Sequence, residues 1–326
     1  MTTPDPSTGA ANGPAGMSRR QLLRHTAWFG AAVVLTVTGG EVISHLGTSP
    51  TAAPAAVATD PNALRFVQVS DSHLGFTGPA NTDVTGSFSR AIDQVNNLGF
   101  RPDFVMHTGD LTHLSTPGQF DQVRQMMNGL HTGAVFTVPG EHDSVDDHGQ
   151  KYRALFGAGT HGDGWYSFDI KGVHVIALVN TLALEKLGHL GTDQLDFLRK
   201  DVAGLSSDTP LVVFSHIPLF AMYPAWGWGT DDATQALSYL RRFSSVTCLN
   251  GHVHQLFTKT DNNVTFYSAT TTAYPLPHPG QGPGPIPVTL PAGQLSAALG
   301  IRDVTYQPGQ HTLALRDHQL AARKPS

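Results

Sequence analysis

The chain is short of the groups that staple, anchor or strongly charge a protein. Of 326 residues only Cys248 is a cysteine, so no intrachain disulfide can form and no cysteine pair stands at metal-ligand spacing. Charged residues make up 14%, against roughly 25% in an average soluble protein. The formal net charge is −5 with no basic run beyond a few residues, which sets aside sequence-independent binding to a nucleic-acid backbone. No apolar stretch reaches the roughly 20 residues of a spanning helix, which argues against a permanent transmembrane anchor. What the chain does have is a 40% hydrophobic content, enough for a sizeable core, and 34 glycines with 22 prolines, which imply many loops. It also has 17 histidines. Neutral imidazole is the commonest protein metal ligand, so this excess points toward metals before any motif is read.

Residues 1 to about 60 are rich in Ala, Gly, Thr, Ser and Pro and stand apart from the rest. Ser18-Arg19-Arg20-Gln21-Leu22-Leu23-Arg24 precedes an apolar run from Ala27 to about Val37. That order resembles a twin-arginine (Tat) export signal. Ala53-Pro54-Ala55 and Ala56-Val57-Ala58 offer small-residue cleavage sites. The expectation is a Tat-type signal and linker over 1–58, engagement of the twin-arginine machinery, and a destination in the periplasm, cell envelope or medium. Loss of 1–58 removes Arg19, Arg20, Arg24, Asp5 and Glu41, leaving 17 basic and 23 acidic residues and a net charge of −6. Twin-arginine export of already folded protein, which the resemblance implies, suits a chain that must load metal before leaving the cytoplasm.

From Leu64 onward, short β-branched and aromatic runs alternate with segments of helical period. Strands are expected at Phe66–Ser70, Phe104–Thr108, Ala134–Val138, Trp165–Ile170, Val173–Val179, Leu211–Ser215, Val246–Asn250 and Val264–Ser268. Helices are expected at Phe88–Leu98, Gly118–Leu130, Thr192–Leu205 and Asp232–Phe243. Lys171-Gly172 reads as the turn of a hairpin. The fold class is therefore mixed α/β, one domain over 59–326 with no internal repeat. Seven prolines between Tyr274 and Gly293 mark a Pro/Gly-rich loop at 274–293.

Several expected strands run into a polar cluster of Asp and His. These are Asp71-Ser72-His73, Gly109-Asp110, Gly140-Glu141-His142-Asp143, Ser215-His216 and Gly251-His252-Val253-His254. Each alone is weak, because a lone Asp-x-His is commonly a turn or cap. Five in series, each closing a strand, point to one metal site, since ligand crevices form at the carboxyl ends of strands. In extended backbone residues i and i+2 face the same way, so Asp71 with His73, and His252 with His254, can each offer two ligands to one locus. Glycines 109, 140 and 251 would let the backbone turn and approach closely.

The ordered set resembles the calcineurin-like metallophosphoesterase family over about Phe66 to Ser268. Gly188 to Leu205, with Gln194, Leu195 and Leu198 on a helix, is similar to the same family's stretch between its third and fourth motifs. The resemblance implies a four-layer α/β/β/α sandwich of two mixed sheets and a centre of two metal ions. Asp71, His73 and His254 would hold one ion, Glu141, His216 and His252 the other, and Asp110 would bridge them. Oxygen and imidazole donors without thiolate suit Fe, Mn or Zn. Two cations roughly 3.5–4 Å apart lower the pKa of a bridging water and neutralise phosphoryl charge as hydroxide attacks in line. His142 matches the family's histidine near the leaving group, with a role further from substrate as the alternative. Asp143 is expected to orient it.

Glu141 departs from the family pattern, which has Asn there. Its added negative charge would disfavour dianionic monoesters relative to diesters, or would call for a more highly charged metal such as Fe(III). A third outcome is that Glu141 swings away and the second site is weak. Other groups near the motifs are open to two readings. Tyr223, Trp226 and Trp228 offer either a stacking surface for an organic group or core packing. His113 and His148 either touch phosphate or lie at the surface, His107 belongs to the core, and His278 sits in the proline-rich segment. Cys248 reads as a buried small hydrophobe. The functional expectation is an exported, metal-dependent hydrolase of small-molecule or polymeric phosphate mono- or diesters. The alternatives are an oxidase-like dinuclear enzyme on the same scaffold and a metal-binding protein without turnover.

Overall fold

The computed structural model describes residues 60–321 except 184, 185 and 311. The expected export signal lies outside the described residues, and among those described no helix is long and apolar enough to cross a membrane.

The chain alternates strand and helix through its first half, as the hydrophobic spacing requires. Strands β1 (Leu64–Val69), β2 (Phe104–His107) and β3 (Val135–Thr137) are separated by helices α1 (Val84–Asn96) and α2 (Pro117–Met127). A third helix, α3 (Gln150–Phe156), follows β3. The second half contains β4 (Tyr166–Ile170), β5 (Val173–Ala177), α4 (Thr192–Ala203), β6 (Leu211–Ser215), α5 (Ala233–Leu240), β7 (Val246–Asn250), β8 (Phe257–Asp261) and β9 (Val264–Ser268). A short helix α6 (Leu295–Ala298) and strands β10 (Gly300–Tyr306) and β11 (Ala314–Gln319) complete the described chain. No helix or strand interrupts 269–294, the stretch that holds the prolines.

These strands form two sheets, ordered β11-β10-β1-β2-β3 and β4-β5-β6-β7-β9-β8. In the first, β1, β2 and β3 are parallel and β10 and β11 are antiparallel additions. In the second, β5, β6, β7 and β9 are parallel, flanked by antiparallel β4 and β8. Side-chain alternation sorts each strand between two cores. Leu64, Phe66, Phe104 and Met106 meet Val212, Phe214 and Leu249 between the sheets. Phe66 stacks on Phe104 at 4.7 Å. On the outer face of the first sheet, Val67, Val69 and Val105 pack on Phe88, Phe120 and Val123 of α1 and α2. Beyond the second sheet, Ile176, Val213 and Cys248 pack on Leu198 of α4 and Leu237 and Leu240 of α5. The architecture is thus the α/β/β/α sandwich expected.

Boundaries moved where capping chemistry outweighed hydrophobic spacing. Helix α1 begins at Val84, not Phe88, because the Asp83 carboxylate accepts the Gly86 N–H at 2.8 Å. The β4–β5 hairpin turns at Lys171 (φ 47°) and Gly172 (φ 78°), the left-handed pair of a type I′ turn.

Candidate metal centre

The parallel strands of both sheets deliver their carboxyl ends to one edge of the sandwich. There β1 runs into Asp71 and His73, β2 into Asp110, β3 into Glu141 and His142, β6 into His216, and β7 into His252 and His254. The loops after β1 and β2 continue side by side: the Asp71 N–H donates to the Gly109 carbonyl at 3.0 Å and the His73 N–H to the Asp110 carbonyl at 2.9 Å. Across the sheets, the His216 Nδ1–H donates to the Thr108 carbonyl at 2.7 Å. Five of these residues adopt left-handed backbone: Asp71, His73, Asp110, His252 and His254, with φ between 42° and 68°. Such strain in non-glycine residues persists only where surrounding contacts over-determine it, and it gathers at functional sites.

That backbone corrects one expectation. Residues 71, 73, 252 and 254 take left-handed rather than extended backbone. Asp71 and His73 still share a locus, but His252 and His254 do not. Asp71, His73, Asp110 and His254 offer donor atoms within 4.8 Å of one another, and so, separately, do Glu141, His216 and His252. Asp110 Oδ2 lies between the two groups, 3.4 Å from His73 Nε2 and 3.4 Å from His216 Nε2.

The histidine tautomers are set from behind. His216 donates from Nδ1 to Thr108, and His254 from Nδ1 to the Tyr274 carbonyl at 2.6 Å, so Nε2 of each is left as a lone-pair donor. His254 Nε2 stands 3.2 Å from Asp71 Oδ1 and 3.2 Å from His73 Nε2. Each deep carboxylate spends one oxygen on backbone: Asp71 Oδ1 accepts the His252 N–H and Asp110 Oδ1 the His142 N–H, both at 3.0 Å. Glu141 has not swung away. Its Oε2 is 2.9 Å from His216 Nε2 and its Oε1 is 2.9 Å from His252 Nδ1.

Whether these groups suit a cation is decided by which atoms lack a hydrogen bond. Asp71 Oδ2, Glu141 Oε2, His216 Nε2 and both ring nitrogens of His252 are buried without one, although Glu141 lies at ion-pair distance from His216 and from His252 Nδ1. Such atoms are costly unless something else satisfies them. Three carboxylates and four imidazoles, with no thiolate, form a donor set that fits two borderline or hard cations. Charge follows the same logic. Burial raises the Glu141 carboxyl, but His252 and His216 outweigh it and hold it well below the usual range. Burial lowers His216, yet Asp110 and Glu141 hold it well above the ordinary imidazole value, so a cation arriving there displaces a proton. His73 is held well below by burial and by His142, His254 and His113.

Glycine is required where the backbone touches these groups. A Cβ at Gly109, which sits at φ +95°, would overlap the His216 ring, one at Gly140 the Asp110 carboxylate, and one at Gly251 the Ser70 hydroxyl. Only the first needs glycine for handedness as well as space.

His142 stands at the mouth, within 4.8 Å of Asp110 and Glu141 donor atoms. Burial lowers its pKa, but Asp110 and Glu141 outweigh burial and raise it. Its orientation corrects another expectation. Asp143 does not hold the imidazole. Fully buried, it accepts from the Gly140, Leu111 and Thr112 N–H groups and the Thr112 hydroxyl at 2.8–3.0 Å, which pins the β2 and β3 loops together. Burial and the nearby Asp110 push its carboxyl up to about 6. The His142 Nδ1–H donates instead to the His113 carbonyl at 2.8 Å.

Two neighbours of the centre escaped the motif pattern. The His113 ring stacks on His142 at 4.8 Å, with its Nδ1 3.5 Å from His73 Nδ1. Buried Tyr274 packs against His73 and His254 at 4.8 and 5.1 Å. His113 was visible as a histidine three residues after Asp110, whereas Tyr274 carried no local signal beyond opening the proline-rich stretch. The remaining candidates fall elsewhere. Trp228 is fully buried and packs with Trp226 and Tyr223 in edge contacts of 5.3 and 6.5 Å. His107 is core, bonded to Ser72 and pushed by burial down to about 3. His148 is exposed and pairs with the Leu182 carbonyl, His278 is exposed, and Cys248 is buried.

Comparison with known proteins points to one family. A family model described as calcineurin-like phosphoesterase matches residues 64–256. A probable cyclic nucleotide phosphodiesterase of a Psychrobacter species is 23% identical over 273 residues, covering 68% of this chain and 79% of that one. A probable glycerophosphodiester phosphodiesterase of Arcobacter nitrofigilis is also 23% identical, covering 62% of this chain and 76% of its own. Among solved structures, a purple acid phosphatase from yellow lupin (Lupinus luteus) seeds superposes with a TM-score of 0.59 at 15% identity, over 79% of this chain and 51% of the lupin one.

Proposed function

This chain belongs to the calcineurin-like phosphoesterase family, whose members depend on a dinuclear metal centre, and from that premise we propose that it is an exported hydrolase of phosphate esters acting on phosphodiesters. One observation carries the reading: two groups of buried and half-buried donors meet at a single oxygen, Asp110 Oδ2. Asp71, His73 and His254 would hold one ion and Glu141, His216 and His252 the other, with Asp110 shared between them. Fe, Mn and Zn all suit these donors. A pair of such ions supplies positive charge for the phosphoryl oxygens and acidifies a water.

The chain's own residues do the rest. Thr108 and Tyr274 carbonyls keep His216 and His254 in the ligating tautomer. The His113 carbonyl occupies Nδ1 of His142, so Nε2 is the nitrogen free to hydrogen-bond the departing ester oxygen. Asp143 holds the two loops that carry Asp110 and Glu141 at their separation. The diester preference is supported by relatives named as cyclic nucleotide and glycerophosphodiester phosphodiesterases. Export is supported by the Arg19-Arg20 signal and its apolar run.

Asp110→Asn tests the reading. Wild type is expected to bind two metal equivalents and to hydrolyse bis(p-nitrophenyl) phosphate in a chelator-sensitive way. The variant is expected to lose at least one equivalent and about a thousandfold or more in kcat/KM. Metals with oxygen-dependent chemistry, or metals without turnover, would replace this reading with one of the other two.

A further inference from the structure

The three carboxylates of the centre are not equivalent in position. Asp71 and Asp110 side chains are 0% and 3% exposed, whereas Glu141 is 23% exposed and is grouped with Asp110 and His142. Its charge therefore lies at the mouth, where an ester enters. Two divalent ions against three carboxylates leave a net charge of +1, where an amide at 141 would leave +2. Because Glu141 is still largely covered, that unit of charge is screened less than one on the open surface.

We propose that Glu141 is a specificity-determining residue that makes the centre select monoanionic phosphodiesters over dianionic monoesters and stops the reaction after one hydrolysis. The inference rests on the phosphoesterase reading above. Diester plus water gives monoester plus alcohol. Water's oxygen forms a new bond to phosphorus, the bond to one ester oxygen breaks, that oxygen leaves with one of water's protons, and at about pH 8 the other proton is released to solvent. The product has gained a negative charge, so Glu141 repels it more than it repels the substrate. Release is hastened and the monoester is refused as a second substrate. The product must then be consumed by a separate phosphomonoester-cleaving reaction.

The probes are inorganic phosphate, mainly dianionic at about pH 8, and dimethyl phosphate, a monoanion. They are titrated calorimetrically into metal-loaded protein whose metal content has been measured. Wild type is expected to bind phosphate no more tightly than dimethyl phosphate. Glu141→Gln is expected to shift the ratio of the two affinities about tenfold toward phosphate, with a parallel shift in kcat/KM toward p-nitrophenyl phosphate over bis(p-nitrophenyl) phosphate. Glu141→Asp, which keeps the charge, is expected to retain the wild-type ratio. An unchanged ratio in metal-loaded Glu141→Gln overturns the role given to Glu141. So does a wild type that binds phosphate tenfold more tightly than the diester, a measurement needing no variant. A wild type that takes up no metal overturns the underlying phosphoesterase reading instead.

Discussion

At the scale of single residues, the centre is held by positions where only one residue type fits. Gly109 shows this most sharply. Its φ of +95° disfavours any side chain, and an added Cβ would overlap the fully buried His216 ring. Gly172 has a comparable φ of +78° but nothing within 4 Å of an added Cβ. The pair separates strain from collision. Gly172→Ala is expected to cost about 1 kcal/mol with metal uptake unchanged. Gly109→Ala is expected to cost more than about 2 kcal/mol and to weaken metal binding, because His216 must move. Denaturant unfolding together with metal titration reads both. The residue types of the centre were legible in sequence, since Asp, His and Gly at strand ends announce themselves. The partner of His142 was not. A backbone carbonyl such as that of His113 is present at every position and leaves no trace in composition, whereas the adjacent Asp143 carboxylate looks like a partner and is spent elsewhere.

At the scale of elements, helix α4 is fastened to the second sheet by a buried histidine. His174 on β5 places Nδ1 2.8 Å from Asp169 Oδ1 on β4 and Nε2 2.9 Å from Asp201 Oδ2 on α4. Only the protonated ring donates from both nitrogens. Asp169 is largely exposed, so the bond to Asp201, which also accepts the Ser167 hydroxyl, carries most of the effect. Burial lowers the His174 pKa, but Asp201 and Asp169 outweigh it and raise it. Since the folded value lies above the unfolded one of about 6.5, the stabilisation is complete below that pH and is lost as pH rises through the folded value. His174→Gln is therefore expected to be less stable than wild type by about 1–2 kcal/mol at pH 6. The gap should narrow toward pH 9, as urea unfolding at the two pH values would show. Elements with two buried faces were readable as apolar runs. Strand β11, with the sequence ALRDHQ, was not, because its six residues show no hydrophobic alternation and become a strand by pairing along β10.

At the scale of the whole molecule, the candidate centre joins two sheets whose donor residues lie far apart in the chain. Thr108 to His216 and Gln68 to the Asn250 carbonyl are ties that cross between the sheets beneath it. A protein whose site needs both sheets in register would benefit from being exported already folded, as the proposed reading of Arg19-Arg20 as a twin-arginine signal requires. Replacing both arginines by lysine is expected to retain the full-length chain in the cytoplasm while the purified protein keeps its metal content and activity. Cell fractionation with metal analysis checks this, and secretion of the double variant at the wild-type level would count against the export reading.

The identity of the candidate ligands, the strands that present them and the layered α/β class were set by local chemistry, which the sequence alone displays: side-chain type, hydrophobic period and the glycines beside each motif. Folding in three dimensions decided how those ligands divide, with His252 and His254 in different groups and Asp110 Oδ2 between them. It also decided that Glu141 faces the mouth and that Asp143 braces loops. The physical reason is that left-handed turns and contacts between sheets relate residues up to about two hundred positions apart, and no short-range pattern in the chain encodes such distances.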